Sequence, residues 1–193
     1  MTIWALIPIK EQGRGKTRLA PVLSPQERDE LVEAMLGRVT AATQAVVART
    51  ILLGPARGHF AAITDTGDGL NAALDKALAS IVNGGSAPAR LLVIAGDLPT
   101  LTADEVRTLA ALPAGTIGIA TDRHSTGTNA LSLPLPEAAG FRFHYGTSSA
   151  ALHRKAAQAL GLNAVTITLP GLAKDIDDPS DLKDAELTFA LAN

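Results

Sequence analysis

The chain has 193 residues, 47% hydrophobic and 3% aromatic, with a formal net charge of -2. That length can bury a real core within one domain, expected here as a single unit over residues 1–193, and the hydrophobic fraction argues against disorder. The lack of cysteine excludes disulfides, thiolate metal sites and cysteine nucleophiles, and the scarcity of aromatic residues and of basic blocks argues against a nucleic-acid partner.

Ile3 to Ile9 is a short, β-branched apolar run, as expected of a buried parallel strand. It is too short for a membrane span and lacks the charged lead of a signal peptide, so a cytoplasmic protein with no membrane partner is the expectation. A polar, glycine-bearing loop follows from Lys10 to Arg18. Ser24-Pro25-Gln26-Glu27 then carries a capping serine, an N1 proline and the glutamate of a capping box. The helix it opens places Leu31, Met35, Leu36 and Val39 on one face. Thr50 to Leu53 and Phe60 to Thr64 are further strand candidates, and Thr66-Gly67-Asp68-Gly69 is a turn into a helix from Leu70 to about Ile81, ended by Asn83-Gly84-Gly85. Leu91 to Ala95 is another buried strand. Thr102 with Glu105 forms a second capping box. Ile117 to Ala120 and Ala130 to Leu133 read as strands, Ser149 to Leu160 as a helix, Ala164 to Leu169 as a late strand and Pro179 to Ala190 as a final helix. This alternation predicts an α/β fold of three layers: a mostly parallel twisted sheet with helices on both faces. Ligands of such sheets bind beyond the carboxyl ends of the strands.

The residues after each strand therefore carry the functional reading. Lys10, Arg14, Lys16 and Arg18, with Gly13 and Gly15 between them, put positive charge and approachable backbone after the first strand, as phosphate binding requires; a solvated basic loop is the alternative. The Walker A pattern is absent. Asp97, after a buried strand, suits Mg2+ held together with substrate phosphates, or is a turn aspartate bonding its own backbone. In Asp175-Ile176-Asp177-Asp178-Pro179-Ser180-Asp181, capping accounts for Asp178 and Asp181 but leaves Asp175 and Asp177 for a second metal contact. The insert Asp122 to Asn129 offers hydroxyls, amides and Arg123 to an anionic substrate, or is a plain surface loop. Tyr145-Gly146-Thr147-Ser148-Ser149 precedes a helix and could bind an anion there, or simply cap it; His153 alone reads as structural.

Taken in order, Ile7-Pro8-Ile9-Lys10, Lys16 to Pro21, Gly69 to Leu74, Gly96-Asp97-Leu98-Pro99, Ala120 to Arg123, Gly127 to Leu131, Gly146 to His153 and Asp175 to Pro179 resemble the guanylyltransferases of coenzyme F420 biosynthesis, the CofC/FbiD family. The resemblance implies a nucleotide-diphospho-sugar-transferase-like fold, GTP as co-substrate, Mg2+ as cofactor, and transfer of GMP to the phosphate of 2-phospho-L-lactate, phosphoenolpyruvate or 3-phospho-D-glycerate. It implies Lys16 and Arg18 on the triphosphate, with Lys10 nearby, Gly69, Leu70 and Asn71 near guanine and ribose, and Asp97 and Asp177, or Asp175, on the metal. It implies Thr128, Gly146, Ser148 and Ser149, with Arg123, around the phosphorylated acid. Guanine specificity rests on the resemblance alone, as does the suggestion of a homodimer. Related members often carry Phe-Gly-Pro-Gly-Ser where this chain has Tyr145 to Ser149, and His-Gly where it has His124-Ser125; the first change falls at the acceptor pocket. The competing readings are a molybdenum-cofactor or sugar-phosphate nucleotidyltransferase, whose first loop is usually richer in glycine, and a nucleotide-binding module without catalysis, which needs fewer carboxylates.

Overall fold

The computed structural model describes residues 1–13, 15–65 and 67–184; Arg14, Thr66 and the expected helical residues past 184 lie outside the described residues. Seven strands form one sheet: β1 (Ile3–Pro8), β2 (Arg49–Leu53), β3 (Ala61–Ile63), β4 (Arg90–Ile94), β5 (Thr116–Thr121), β6 (Thr128–Pro134) and β7 (Asn163–Ile167), in the spatial order β3-β2-β1-β4-β6-β5-β7. β1 pairs in parallel with β2 and β4, β2 with β3, and β5 with β7. β6 runs antiparallel to both of its neighbours, the one departure from parallel pairing among the described residues. The chain winds outward from β1 to β3 and then returns to the other side of β1 as β4. That reversal opens a crevice at the carboxyl ends of β1 and β4. Because β6 is reversed, its first residues, Thr128 and Asn129, lie on the same edge, and the Asn129 carbonyl accepts from Ala95 N at 2.8 Å.

The helices are α1 (Pro25–Gln44), α2 (Leu70–Asn83), α3 (Ala103–Ala110), α4 (Ser149–Ala159), α5 (Pro170–Ala173) and α6 (Pro179–Asp184). Both capping boxes form, at Ser24/Glu27 and at Thr102/Glu105, each a reciprocal pair of side-chain and backbone bonds that satisfies otherwise orphaned N–H groups. Side chains alternate across the central strands into two cores. On one face Leu6, Leu91, Val93, Ile119 and Leu131 pack with α2, α4, Phe141 and Phe143. On the other Ala5, Ile7, Leu92, Ile94 and Ala130 pack with α1, α3 and Leu172 of α5, a helix with no sequence forecast. A third, smaller cluster joins Leu31 and Met35 of α1 to Leu19 and Ile176. It anchors the basic loop and the acidic segment on one helix, so the face of α1 predicted from periodicity serves two cores.

Gly54, after β2, has φ +134°, and a Cβ there would sit 2.4 Å from the Ile9 carbonyl oxygen. Only glycine lets the end of β2 press onto the residue that leads into the basic loop.

Candidate functional site

The carboxyl edge gathers the loops that follow β1, β4 and β5, the start of β6, and the segment after α5. At its centre Lys16 Nζ lies 2.5 Å from Asp97 Oδ2 and 2.9 Å from Asp177 Oδ1. The three residues come from positions 81 and 161 apart in sequence. Burial of Leu19, three residues beyond Lys16, and of Ile176, next to Asp177, in the third cluster brings them together. Burial alone would lower the Lys16 pKa, but the Asp97 and Asp177 charges and hydrogen bonds outweigh it and hold the ammonium above its usual range. Asp175 is half-buried and accepts from Asn129 Nδ2 at 3.1 Å. Burial and the Asp97 charge raise its pKa.

Two carboxylates from distant segments thus already share one cation, the Lys16 ammonium. Hard oxygen donors of this kind suit Mg2+, which takes one or two carboxylates and completes its shell with phosphate oxygens and water. Among the described residues no three carboxylate or imidazole groups form a ready-made cage. Asp97 and Asp177 therefore fit a divalent ion shared with a ligand, with Asp175 adjacent and turned onto Asn129.

Asp177 is placed by Asp181, which is buried and whose Oδ2 accepts from Asp177 N at 2.6 Å and Asp178 N at 2.9 Å. Its other oxygen pairs with Arg123. Helix-end charge alone predicts nothing of this link between the β5–β6 loop and the acidic segment. Arg123 and Asp181 line a cavity of about 320 Å³ with Pro99, Thr100, Lys174 and Asp175. The β5–β6 insert closes on itself: Asp122 Oδ1 accepts from Thr126 N at 2.9 Å, and a Cβ on Gly127 would meet Asp122 Oδ2 at 2.6 Å.

The hydroxyls of Thr128 and Ser149 turn inward. Ser149 Oγ donates to Thr128 Oγ1 at 3.2 Å, and Thr128 Oγ1 lies 3.0 Å from His153 Nδ1. His153 Nε2 accepts from His144 N at 2.9 Å, so the proton sits on Nδ1 and is donated to Thr128. Burial, helped by the His144 charge, pushes the His153 pKa down to about 4. Gly146, at φ +126°, Thr147, and Ser148, left-handed at φ +57° and without a side-chain cap bond, are the exposed part of this loop. Lys10 and Arg18 are exposed beside the crevice, and Gly69 and Leu70 form the exposed start of α2. Asn71 differs: its amide is spent on the backbone of Tyr145, accepting from Tyr145 N at 2.7 Å and donating to Tyr145 O at 3.0 Å.

The family described as guanylyl transferase CofC like matches residues 3–188. A phosphoenolpyruvate guanylyltransferase of Sphaerobacter thermophilus is 38% identical over 195 residues, 95% of this chain and 92% of that protein. One from Chloroflexus aggregans is 40% identical over 192 residues, 92% of this chain and 93% of that protein. Among solved structures, a Desulfovibrio desulfuricans protein described as a nucleotide-diphospho-sugar transferase superposes with a TM-score of 0.75 at 15% identity, over 100% of this chain and 92% of that one. A nucleotidyl transferase from Methanothermobacter gives 0.62 at 16% identity, over 95% of each chain. These two likenesses are of fold.

Proposed function

The chain belongs to the family of CofC-like guanylyl transferases, and on that premise we propose that it transfers GMP from GTP to the phosphate of a small phosphorylated acid, releasing pyrophosphate, as a step of coenzyme F420 biosynthesis. The candidate acids are phosphoenolpyruvate, 2-phospho-L-lactate and 3-phospho-D-glycerate; the names of the relatives make phosphoenolpyruvate the first to try. The observation that carries the reading is the convergence of Lys16, Asp97 and Asp177 at the reversal point of the sheet. We read residues 1–193 as one such domain acting in the cytoplasm; no described helix is long and apolar enough to cross a membrane.

A phosphate oxygen of the acceptor, already anionic near neutral pH, attacks the α-phosphorus of GTP in line. The new bond joins that oxygen to the α-phosphorus, and the bond to the bridging oxygen breaks so that pyrophosphate leaves with the electron pair. No general base and no covalent enzyme intermediate is needed. Catalysis is positioning and charge stabilisation. Mg2+ held by Asp97 and Asp177, with Asp175 in reserve, would supply neutralising charge at the phosphates. Lys16 and Arg18 face the triphosphate, with Lys10 beside them. Gly69 and Leu70 offer backbone and an apolar surface to the base. Gly146 and Ser148 meet the acceptor phosphate, while Thr128 and Ser149, whose hydroxyls bond each other, shape that loop from beneath. Arg123 is paired with Asp181 on one side and open to the cavity on the other, and is assigned to the acceptor carboxylate.

The test is pyrophosphate release with Mg2+, crossing GTP, CTP and ATP with the three acids. Turnover of GTP with one acid is the expected result. Silence in every combination from folded protein overturns the proposal and favours a nucleotide-binding module without catalysis.

A further inference from the structure

The segment from Phe143 to Tyr145 leads into the acceptor loop, and it is held in an unusual way. Three consecutive backbone N–H groups each find a side-chain acceptor: Phe143 N on Asp75 Oδ1 at 3.1 Å, His144 N on His153 Nε2 at 2.9 Å, and Tyr145 N on Asn71 Oδ1 at 2.7 Å. Asn71 also donates to Tyr145 O at 3.0 Å, closing a two-bond clamp around one residue. Asp75 and Asn71 project from α2, one turn apart, and His153 from α4. The segment is in no strand, so these side chains replace a sheet ladder as its anchors. One residue further on, Gly146 and the left-handed Ser148 begin the exposed loop.

We infer that Asn71 is a positioning residue for the phosphorylated acid, acting through the peptide of Tyr145, and not a contact for the ribose of the nucleotide. This rests on the assignment of Gly146 and Ser148 to the acceptor phosphate. Both polar atoms of the Asn71 amide are committed to Tyr145, which leaves one Nδ2 hydrogen and one Oδ1 lone pair for anything else. Asn71 is also the second residue of α2, directly after Gly69 and Leu70 on the nucleotide side. The seat of the acceptor loop is therefore carried by the helix whose first turn faces the nucleotide. A clamp of two hydrogen bonds placed this way fixes where the attacking oxygen stands relative to the α-phosphorus, and misplacement of that order is costly in rate.

The experiment is steady-state kinetics of wild type, Asn71→Ala and Asn71→Asp with GTP and the active acid varied in turn, together with hydrogen exchange over residues 143–149. With alanine, kcat falls by about tenfold and KM for the acid rises by about tenfold or more, while KM for GTP stays within about threefold, because the lost bonds hold only the acceptor loop. Exchange over 143–149 quickens in the same variant. Aspartate keeps an acceptor for Tyr145 N but turns a second oxygen on Tyr145 O, so its KM for the acid falls between wild type and alanine, roughly a threefold rise. A rise confined to KM for GTP, or unchanged exchange over 143–149, overturns the inference. Absence of turnover in the wild type sinks the proposed function instead, and the exchange measurement still decides whether Asn71 holds the loop.

Discussion

Replacing Lys16 by glutamine should tighten divalent-metal binding to the nucleotide-free protein while slowing turnover. The Lys16 ammonium occupies the point where Asp97 and Asp177 converge, at 2.5 and 2.9 Å. Two unit charges about 4 Å apart attract by about 4 kcal/mol at an effective dielectric near 20, before the cost of removing water. The lysine side chain is 8% exposed, but Asp97 is 30% and Asp177 53% exposed, so solvent returns much of that attraction. A net holding energy of roughly 1–2 kcal/mol is reasonable for the two contacts together. A metal ion landing on these carboxylates must first move the ammonium, so removing it should raise metal affinity by about 5- to 30-fold. Turnover should fall by about a hundredfold to a thousandfold if, as proposed, Lys16 is a charged partner of the leaving pyrophosphate. Calorimetric titration of Mg2+, or the spin signal of Mn2+, on nucleotide-free protein at low salt measures the first effect; pyrophosphate release measures the second. Metal affinity in Lys16→Gln equal to or weaker than wild type would refute the competition between lysine and metal, whatever happens to the rate.

Asp97→Asn should lower kcat by about a hundredfold or more with little change in the urea midpoint, since the lost contact is partly solvent-exposed; near-normal turnover would overturn the proposed metal role of Asp97. Arg90 is buried at the amino end of β4, and its guanidinium donates to Thr116 O, Leu112 O, Pro113 O and Ser132 Oγ. Arg90→Met strands those acceptors and should cost about 3–5 kcal/mol in urea unfolding, with kcat intact at a permissive temperature because the crevice lies at the other end of the strand. His153 carries a pH prediction. Its folded pKa is depressed to about 4, so the neutral ring is the form the fold accommodates. Stability from this group is complete above the unfolded value of about 6.5 and is lost as pH falls from there to about 4, by about 3 kcal/mol in all. Urea unfolding at pH 7.5 and pH 5 should show a steeper loss in wild type than in His153→Gln, and equal losses would contradict the assignment.

What was legible in the chain follows the range of the interaction responsible. The capping boxes at Ser24/Glu27 and Thr102/Glu105 are encoded within four residues and form as read. The apolar runs around Ile3, Leu91 and Ile117 mark the central strands because burial on both faces leaves little alternation. Strand direction carries no such mark. Thr128–Pro134 is buried along its whole length, like β4 and β5 beside it, and only the short polar insert between β5 and β6 hints at a hairpin return. The site divides in the same way. Charge after β1 and carboxylates after β4 and α5 are visible in sequence, and the reversal of strand order at β1 and β4 explains why they meet. What Lys16 does before a nucleotide arrives depends on partners 81 and 161 residues away, which no local pattern encodes. The same holds for Asn71, Thr128 and Ser149, whose polar atoms are taken up by Tyr145, by His153 and by one another. A motif records which residues belong near a ligand, but whether each one touches it or holds a neighbour in place is decided by long-range hydrogen bonds. With Lys16 already neutralising part of the charge on Asp97 and Asp177, metal and triphosphate should bind best together. The triphosphate gives the displaced ammonium a new anionic partner, and the metal gives the carboxylates a new cation.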